Sequence, residues 1–197
     1  MLGKAELLDA IAPLNRGVSA TASDRLAINA AATRLEDLNP TPDPLTARSR
    51  LEGDWLLLYT TSQELLNIDR LPLASLGRIF QCIRLDETRI YNLAEVAGPP
   101  GLAGLVAVAA RLEPVSTRRV QVGFERGVVG LQWLLGYANP AQFIETLQRT
   151  PRLSLLKGID FTINAQRQAG WLEITYLDDD LRISRGNQGN LFILRKA

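Results

Sequence analysis

The side chains best suited to chemistry in this chain are carboxylates. Asp178, Asp179 and Asp180 are consecutive, and Asp160 and Glu173 fall on stretches that read as strands. Paired carboxylates can run acid–base catalysis, and oxygen clusters can hold calcium. The alternating acids and closing Glu of a calcium loop are missing, so the three aspartates read as a solvated turn. The chain has no histidine. That removes Ser–His–Asp hydrolysis, Cys–His chemistry and most zinc sites. The one cysteine, Cys82, lies in the apolar run Ile79-Phe80-Gln81-Cys82-Ile83 with no base beside it, and reads as a buried, inert thiol. A single cysteine allows no internal disulfide and suits a reducing compartment. Gly98-Pro99-Pro100-Gly101 and Gly186-Asn187-Gln188-Gly189 lack the strand–helix setting and the Lys of a phosphate loop, and read as turns. No catalytic residue, metal or cofactor is assigned.

The 197 residues suit one domain with a small appendage, and 46% hydrophobic with 22% charged residues is an ordinary globular balance. A net charge of +1 argues against a nucleic-acid partner. Lys4, Lys157 and Lys196 are the lysines; the other basic residues are Arg, a skew read as genome composition although it could serve anion binding. The longest apolar runs, Ala97 to Ala110 and Val128 to Tyr137, fall short of the ~18 residues of a spanning helix. Met1 to Asn15 carries Glu6 and Asp9, so neither a signal peptide nor an Arg/Ser-rich leader is expected there.

Residues 2–15 and about 21–38 carry helical apolar stripes; Gly17 is a candidate stop for the first, and Thr21 with Asp24 forms a capping-box pattern for the second. Pro40, Pro42 and Pro44 then end helical structure, dividing a helical arm, 1–45, from the rest, 46–197. Strands are expected near 54–60, 78–85, 89–96, 103–113, 118–125, 159–164, 171–177, 181–185 and 190–195, with a short helix near 140–148. Val120, Val122 and Phe124 alternate on one face, as do Leu172, Ile174 and Tyr176. Sequential antiparallel strands with short turns predict a mainly β chain closed into an up-and-down barrel, with a two-sheet sandwich as the other option.

A small barrel either fills its interior with side chains or encloses one apolar ligand. The small-residue run Gly104 to Ala110 leaves room, which favours a pocket. Trp55, Tyr59, Phe124, Trp133, Phe161, Trp171 and Tyr176 are the candidate barrel and pocket aromatics. Asn92 and Glu95, polar on an expected strand, are candidates for a head-group contact. The Gly-flanked segment 127–137 reads as a pocket lid or a membrane-dipping edge. Its Val128, Val129, Leu131, Trp133, Leu134 and Leu135 are the candidate membrane contacts, with Arg118, Arg119 and Arg126 as basic neighbours.

Leu51-Glu-Gly-Asp-Trp-Leu-Leu-Leu-Tyr-Thr-Thr-Ser62 resembles the opening of the plastid lipid-associated (PAP/fibrillin) proteins. Ile79 to Ile83, Tyr91 to Glu95, Phe124 to Arg126 running into Gly130 to Gln132, and Trp171 to Asn187 with Leu191 to Leu194 are similar to that family as well. The resemblance runs from the first helix to the last strand, and without a leader the chain looks like a cyanobacterial-type member. It implies a lipocalin-like barrel associated with lipid globules and photosynthetic membranes, carrying isoprenoids such as carotenoids or quinones. It implies no catalytic residues. In lipocalin-type barrels a Gly-x-Trp places its Trp at the closed end under an Arg; here Trp55 would take that place, with Arg182, Arg185 or Arg195 across it.

The resulting expectation is a non-enzymatic barrel binding an apolar lipid or isoprenoid at the thylakoid surface, peripheral to the membrane on its cytoplasmic side. Any pocket would open near 97–104 and 127–144, away from Trp55. Two alternatives remain at this point: a filled barrel that docks on a membrane or an isoprenoid-pathway enzyme, and a lipid-modifying enzyme.

Overall fold

The computed structural model describes residues 3–63, 75–164 and 169–197. Two helices lead the chain, α1 (Lys4–Ile11) and α2 (Ala22–Glu36). At the start of α2 the Thr21 hydroxyl accepts from the Asp24 amide, and the Asp24 carboxylate accepts from the Thr21 amide. This is the reciprocal cap that the sequence predicts. A single turn, α3 (Arg48–Leu51), leads into β1 (Gly53–Thr60). Then follow β2 (Ser75–Arg84), β3 (Arg89–Ala97), β4 (Gly104–Pro114) and β5 (Arg119–Leu131). Helices α4 (Gln132–Leu135) and α5 (Pro140–Arg149) precede β6 (Ile159–Thr162), β7 (Ala169–Leu177), β8 (Leu181–Gly186) and β9 (Leu191–Lys196).

Eight strands close on themselves in the order β1-β2-β3-β4-β5-β7-β8-β9, with β9 returning to β1. Every neighbouring pair is antiparallel. This is the closed barrel, not the sandwich. The short β6 lies outside the ring and pairs only with Arg126 to Val129 of β5.

Many of these strands are apolar on both faces, so the barrel has to be covered from outside as well as filled from within. Inside lie Trp55, Leu57, Ile83, Ile90, Leu112, Leu172, Ile174 and Leu194. On one outer side Tyr59, Tyr176, Leu181, Ile183, Leu191 and Ile193 pack under Leu7 and Ile11 of α1 and Ile28, Ala32 and Leu35 of α2. On the other, Phe80, Cys82, Tyr91, Leu93, Leu105 and Ala107 pack under Phe143, Ile144 and Leu147 of α5. The Cys82 thiol is buried there, and burial pushes its pKa far up, which keeps it inert.

Two expectations change at this level. The run 127–131, expected as part of a lid or membrane-dipping edge, is strand: it completes β5, paired with β4 on one side and β6 on the other. Its glycines mark close approach. A Cβ on Gly127 would sit 2.4 Å from the Phe161 ring, and one on Gly130 would sit 3.0 Å from the Lys157 carbonyl. The small residues of β4 also act differently. Ala107 and Ala109 face outward and make room for α5, whereas Val106 and Val108 alternate inward.

The aspartate turn between β7 and β8 is a fastener. The Asp178 carboxylate accepts from the amides of Asp180 and Leu181 and from the Tyr176 hydroxyl, and takes an ion pair with Lys4 at 2.7 Å. Burial alone would raise its pKa, but these donors outweigh it and hold the group at about 2. A depressed carboxylate stabilises the fold fully above its unfolded pKa of about 3.9 and loses that contribution as pH falls towards about 2. Asp178→Asn is therefore expected to cost about 1–2 kcal/mol at pH 7. In urea unfolding at stepped pH the gap from wild type should close between about pH 4 and pH 2. A gap independent of pH would contradict the assignment.

Candidate ligand site in the barrel interior

Alternation fixes which polar side chains enter the barrel. On β8, Leu181 and Ile183 face the helices, so Arg182 and Ser184 point inward. On β2, Gln81 lies between the outward Phe80 and Cys82, and on β3 Asn92 lies between the outward Tyr91 and Leu93. Gln81 and Asn92 are directly paired across the two strands, and Gln81 also pairs with Trp55.

Arg182 is fully buried. Its guanidinium carbon stands 5.0 Å from the centroid of the Trp55 ring, and Nη2 donates to Gln81 Oε1. The Trp55 indole N–H donates to the Leu51 carbonyl at 2.9 Å, and Lys196 Nζ lies 5.4 Å from the same ring. Trp55 thus sits at the α3 end of the barrel under an Arg, and that Arg is Arg182. Among the described residues Arg182 Nε and Nη1 have no hydrogen-bond partner, nor do Asn92 Oδ1 and Ser184 Oγ. The inward positions of the eight strands include no Asp or Glu. Burial pushes the Arg182 pKa down to about 9, so at neutral pH the guanidinium stays charged. An unpaired buried charge costs several kcal/mol, on the order of the penalty for one desolvated ion.

The barrel ends differ. At the α3 end, Leu45, Leu51, Leu85, Leu112, Pro114 and Ile174 help line a cleft of about 110 Å³. This is the end where Trp55 lies, and the cleft is well below the ~300 Å³ of a typical ligand site. Towards the opposite end the inward-facing Val106, Val108, Phe124 and Phe192 are only half-buried. Beyond them β5 and β6 form a lip on which Val129 pairs with Ile159, and Gly127 with Phe161. These three apolar side chains share one exposed face. Trp133 (66% exposed), Leu102, and Leu155 and Leu156 (87% each) continue the apolar surface at this end. The Trp133 indole N–H donates to the Gly101 carbonyl, which ties the α4 and 97–104 segments together.

Of the expected pocket residues, Trp55, Asn92 and Phe124 enter the barrel. Tyr59 and Tyr176 do not: β-bulges between Leu57 and Tyr59 and between Ile174 and Tyr176 turn both under the helices. Trp171 faces outward, with the Arg119 guanidinium 4.4 Å from its ring. Glu95 also faces outward, paired with Arg78 and accepting from the Tyr137 hydroxyl. Phe161 is on the lip, and Trp133 lies beyond it.

Of the expected membrane contacts, Val128 and Leu135 are core residues under α5, so they cannot touch a bilayer. Leu131 and Leu134 are half-buried, while Val129 and Trp133 are exposed. Arg118 and Arg119 pair with Glu173 at the other end of the 13-residue β5, about 40 Å of strand away from Leu131. Arg126 is committed to Asp160. All three are held in ion pairs with carboxylates of this chain. Arg182, by contrast, is the functional candidate that sequence reasoning used only as a partner for Trp55.

The PAP_fibrillin family model matches residues 1–195 of this chain. The chain belongs to the PAP/fibrillin family. Related members include a probable plastid-lipid-associated protein 2, chloroplastic, of Arabidopsis thaliana, 33% identical over 98% of this chain and 70% of its own length. A light-induced protein, chloroplastic, of Solanum tuberosum is 34% identical over 98% of this chain and 66% of its own. A chromoplast-specific carotenoid-associated protein of Cucumis sativus is 32% identical over 98% of this chain and 67% of its own. This PAP/fibrillin chain therefore spans about two thirds of the length of these relatives, which their names describe as lipid- or carotenoid-associated or light-induced rather than as enzymes. No solved structure matches it. Among the described residues no helix is long and apolar enough to cross a membrane.

Proposed function

We propose that this PAP/fibrillin protein is a non-enzymatic carrier that holds an apolar lipid or isoprenoid in the upper half of its barrel and exchanges it at a membrane surface. The observation that carries this reading is the set of half-buried and exposed apolar side chains gathered at one end of the barrel. Half-buried Val106, Val108, Phe124 and Phe192 lead to the exposed lip of Val129, Ile159 and Phe161, and on to Trp133, Leu155 and Leu156. Exposed apolar clusters of this kind mark sites for lipid or protein contact. Burying a Leu, Ile or Phe side chain yields about 1.5–3 kcal/mol at full burial, so several together can hold a protein reversibly at an interface. The carotenoid-associated relative supports an isoprenoid as the cargo, and the photosynthetic membrane is the surface proposed.

The test separates cargo from surface. Mass spectrometry of lipid extracted from protein purified out of its native host should find an apolar lipid at near-stoichiometric amount. Val108→Trp, which fills the inward face of β4, should abolish it while leaving the unfolding midpoint within a few degrees. Trp133→Ser combined with Leu155→Ser and Leu156→Ser should abolish flotation with thylakoid-composition liposomes and leave the cargo in place. An empty wild-type barrel refutes the carrier reading. Unchanged flotation of the triple variant refutes this end as the membrane contact.

A further inference from the structure

The geometry points to a carboxylate as the head group of the barrel's ligand: we propose that Arg182, with Ser184 beside it, binds the acid end of an amphiphile whose tail runs along Val106, Val108, Phe124 and Phe192 towards the lip. This rests on the lipid-binding reading above and narrows it to a chemical class. The guanidinium has five N–H donors. Only Nη2 is engaged, by Gln81, and the three donors on Nε and Nη1 meet no acceptor among the described residues. The stacking on Trp55 accounts for one face of the group but satisfies none of its donors.

Among the described residues the charge is uncompensated as well. No inward position of the eight strands is acidic, and Lys196 adds a second cation near the same indole. A neutral hydrocarbon would leave the donors and the charge as they are, and a ketone would satisfy donors but not charge. A carboxylate supplies both, as a planar acceptor matched to a guanidinium. The Ser184 hydroxyl, also without a partner, is two residues along the same inward face and can donate to it. An eight-stranded barrel is narrow, which favours a single small head over a bulky one. The same chemistry is offered by a fatty acid and by an acid at the end of a cleaved isoprenoid chain.

Equilibrium binding of four probes to the delipidated full chain tests the proposal: cis-parinaric acid, retinoic acid and the methyl ester of each, followed by probe fluorescence or quenching of Trp. At least one acid should bind about tenfold or more tightly than its ester, the ratio expected for a hydrogen-bonded charge. Arg182→Gln should bring acid and ester within about twofold, and Arg182→Lys should keep part of the preference. The acid that shows the preference, linear or isoprenoid, identifies the source. If Arg182→Gln does not fold, the wild-type ratio and the Lys variant decide. Equal binding of acid and ester overturns the head-group assignment and leaves the carrier reading standing. A preference unchanged in Arg182→Gln overturns the role of Arg182. If no probe binds, the carboxylate proposal falls, while lipid recovered from the native host still reports on the carrier reading separately.

Discussion

Arg126→Met is expected to destabilise the protein by about 3–5 kcal/mol, the usual cost of stripping one partner from a buried ion pair. The Arg126 guanidinium grips Asp160 with two nitrogens, at 3.0 and 2.6 Å, and donates through Nη1 to the carbonyls of Leu147 and Thr150. Those carbonyls lie at the end of α5, where helical acceptors have no partner of their own. One side chain therefore joins β5, β6 and the C-terminal end of α5. Asp160 is only 6% exposed and also accepts from the Leu153 amide at 2.7 Å. The Arg126 hydrogen bonds hold its pKa low. Without Arg126 the buried carboxylate keeps the Leu153 amide and the charge of Arg152 but loses its largest stabilising partner, so its pKa rises. At about 2–4 °C per kcal/mol for a chain of this size, the thermal midpoint should fall by roughly 10 °C. Arg126→Met with Asp160→Asn should cost less than the sum of the two single changes. A loss below about 1 kcal/mol for Arg126→Met would show that the clamp is dispensable.

Gly17→Ala is expected to cost about 2–4 kcal/mol, combining backbone strain with a steric clash. Gly17 follows α1 with φ at +106°, and its Cβ position is 2.3 Å from the Thr60 carbonyl oxygen. The neighbouring Thr60 amide donates to the Arg16 carbonyl at 3.0 Å. The approach is backbone against backbone, so no flexible side chain can yield. Gly101 is the control. It has φ at +81° but nothing within 4 Å of its Cβ position, so Gly101→Ala should cost only about 1 kcal/mol. Urea unfolding of both variants measures the difference. Equal losses would mean that the contact with Thr60 relaxes freely.

The strands were legible because period two is a local signal: Val120 and Val122, or Leu172 and Ile174, declare a face without any knowledge of partners. Which face is the inside was less legible, since β1, β7 and β9 are apolar on both sides. Tyr59 and Tyr176 were misplaced for that reason, with single-residue bulges completing the error. Arg126 read as a basic neighbour of a greasy loop because its partner, Asp160, is 34 residues on. Gly127 and Gly130 carry no local mark of what they do, which is to admit the close approach of β6 and its preceding turn. Arg182 was nameable as a partner for Trp55 from the family resemblance. Its unused donors appear only once the barrel register shows what does and does not face it.

Closure by pairing the first strand with the last has a consequence during synthesis. β1 and β9 are hydrogen-bonded neighbours, with Leu57 opposite Leu194, so the ring cannot shut until nearly all of its residues have left the ribosome. Until then β1 and β8 each present an open edge, a template for wrong pairing. The α1–α2 arm packs on the outer side of β1 and β7–β9, and Lys4 reaches Asp178 and Asp180 in the β7–β8 turn. The arm emerges before the barrel, yet its docking surface is completed only with β9. Such long-range contacts slow folding, and a waiting amphipathic arm beside an unfinished barrel is the segment a cotranslational chaperone would meet.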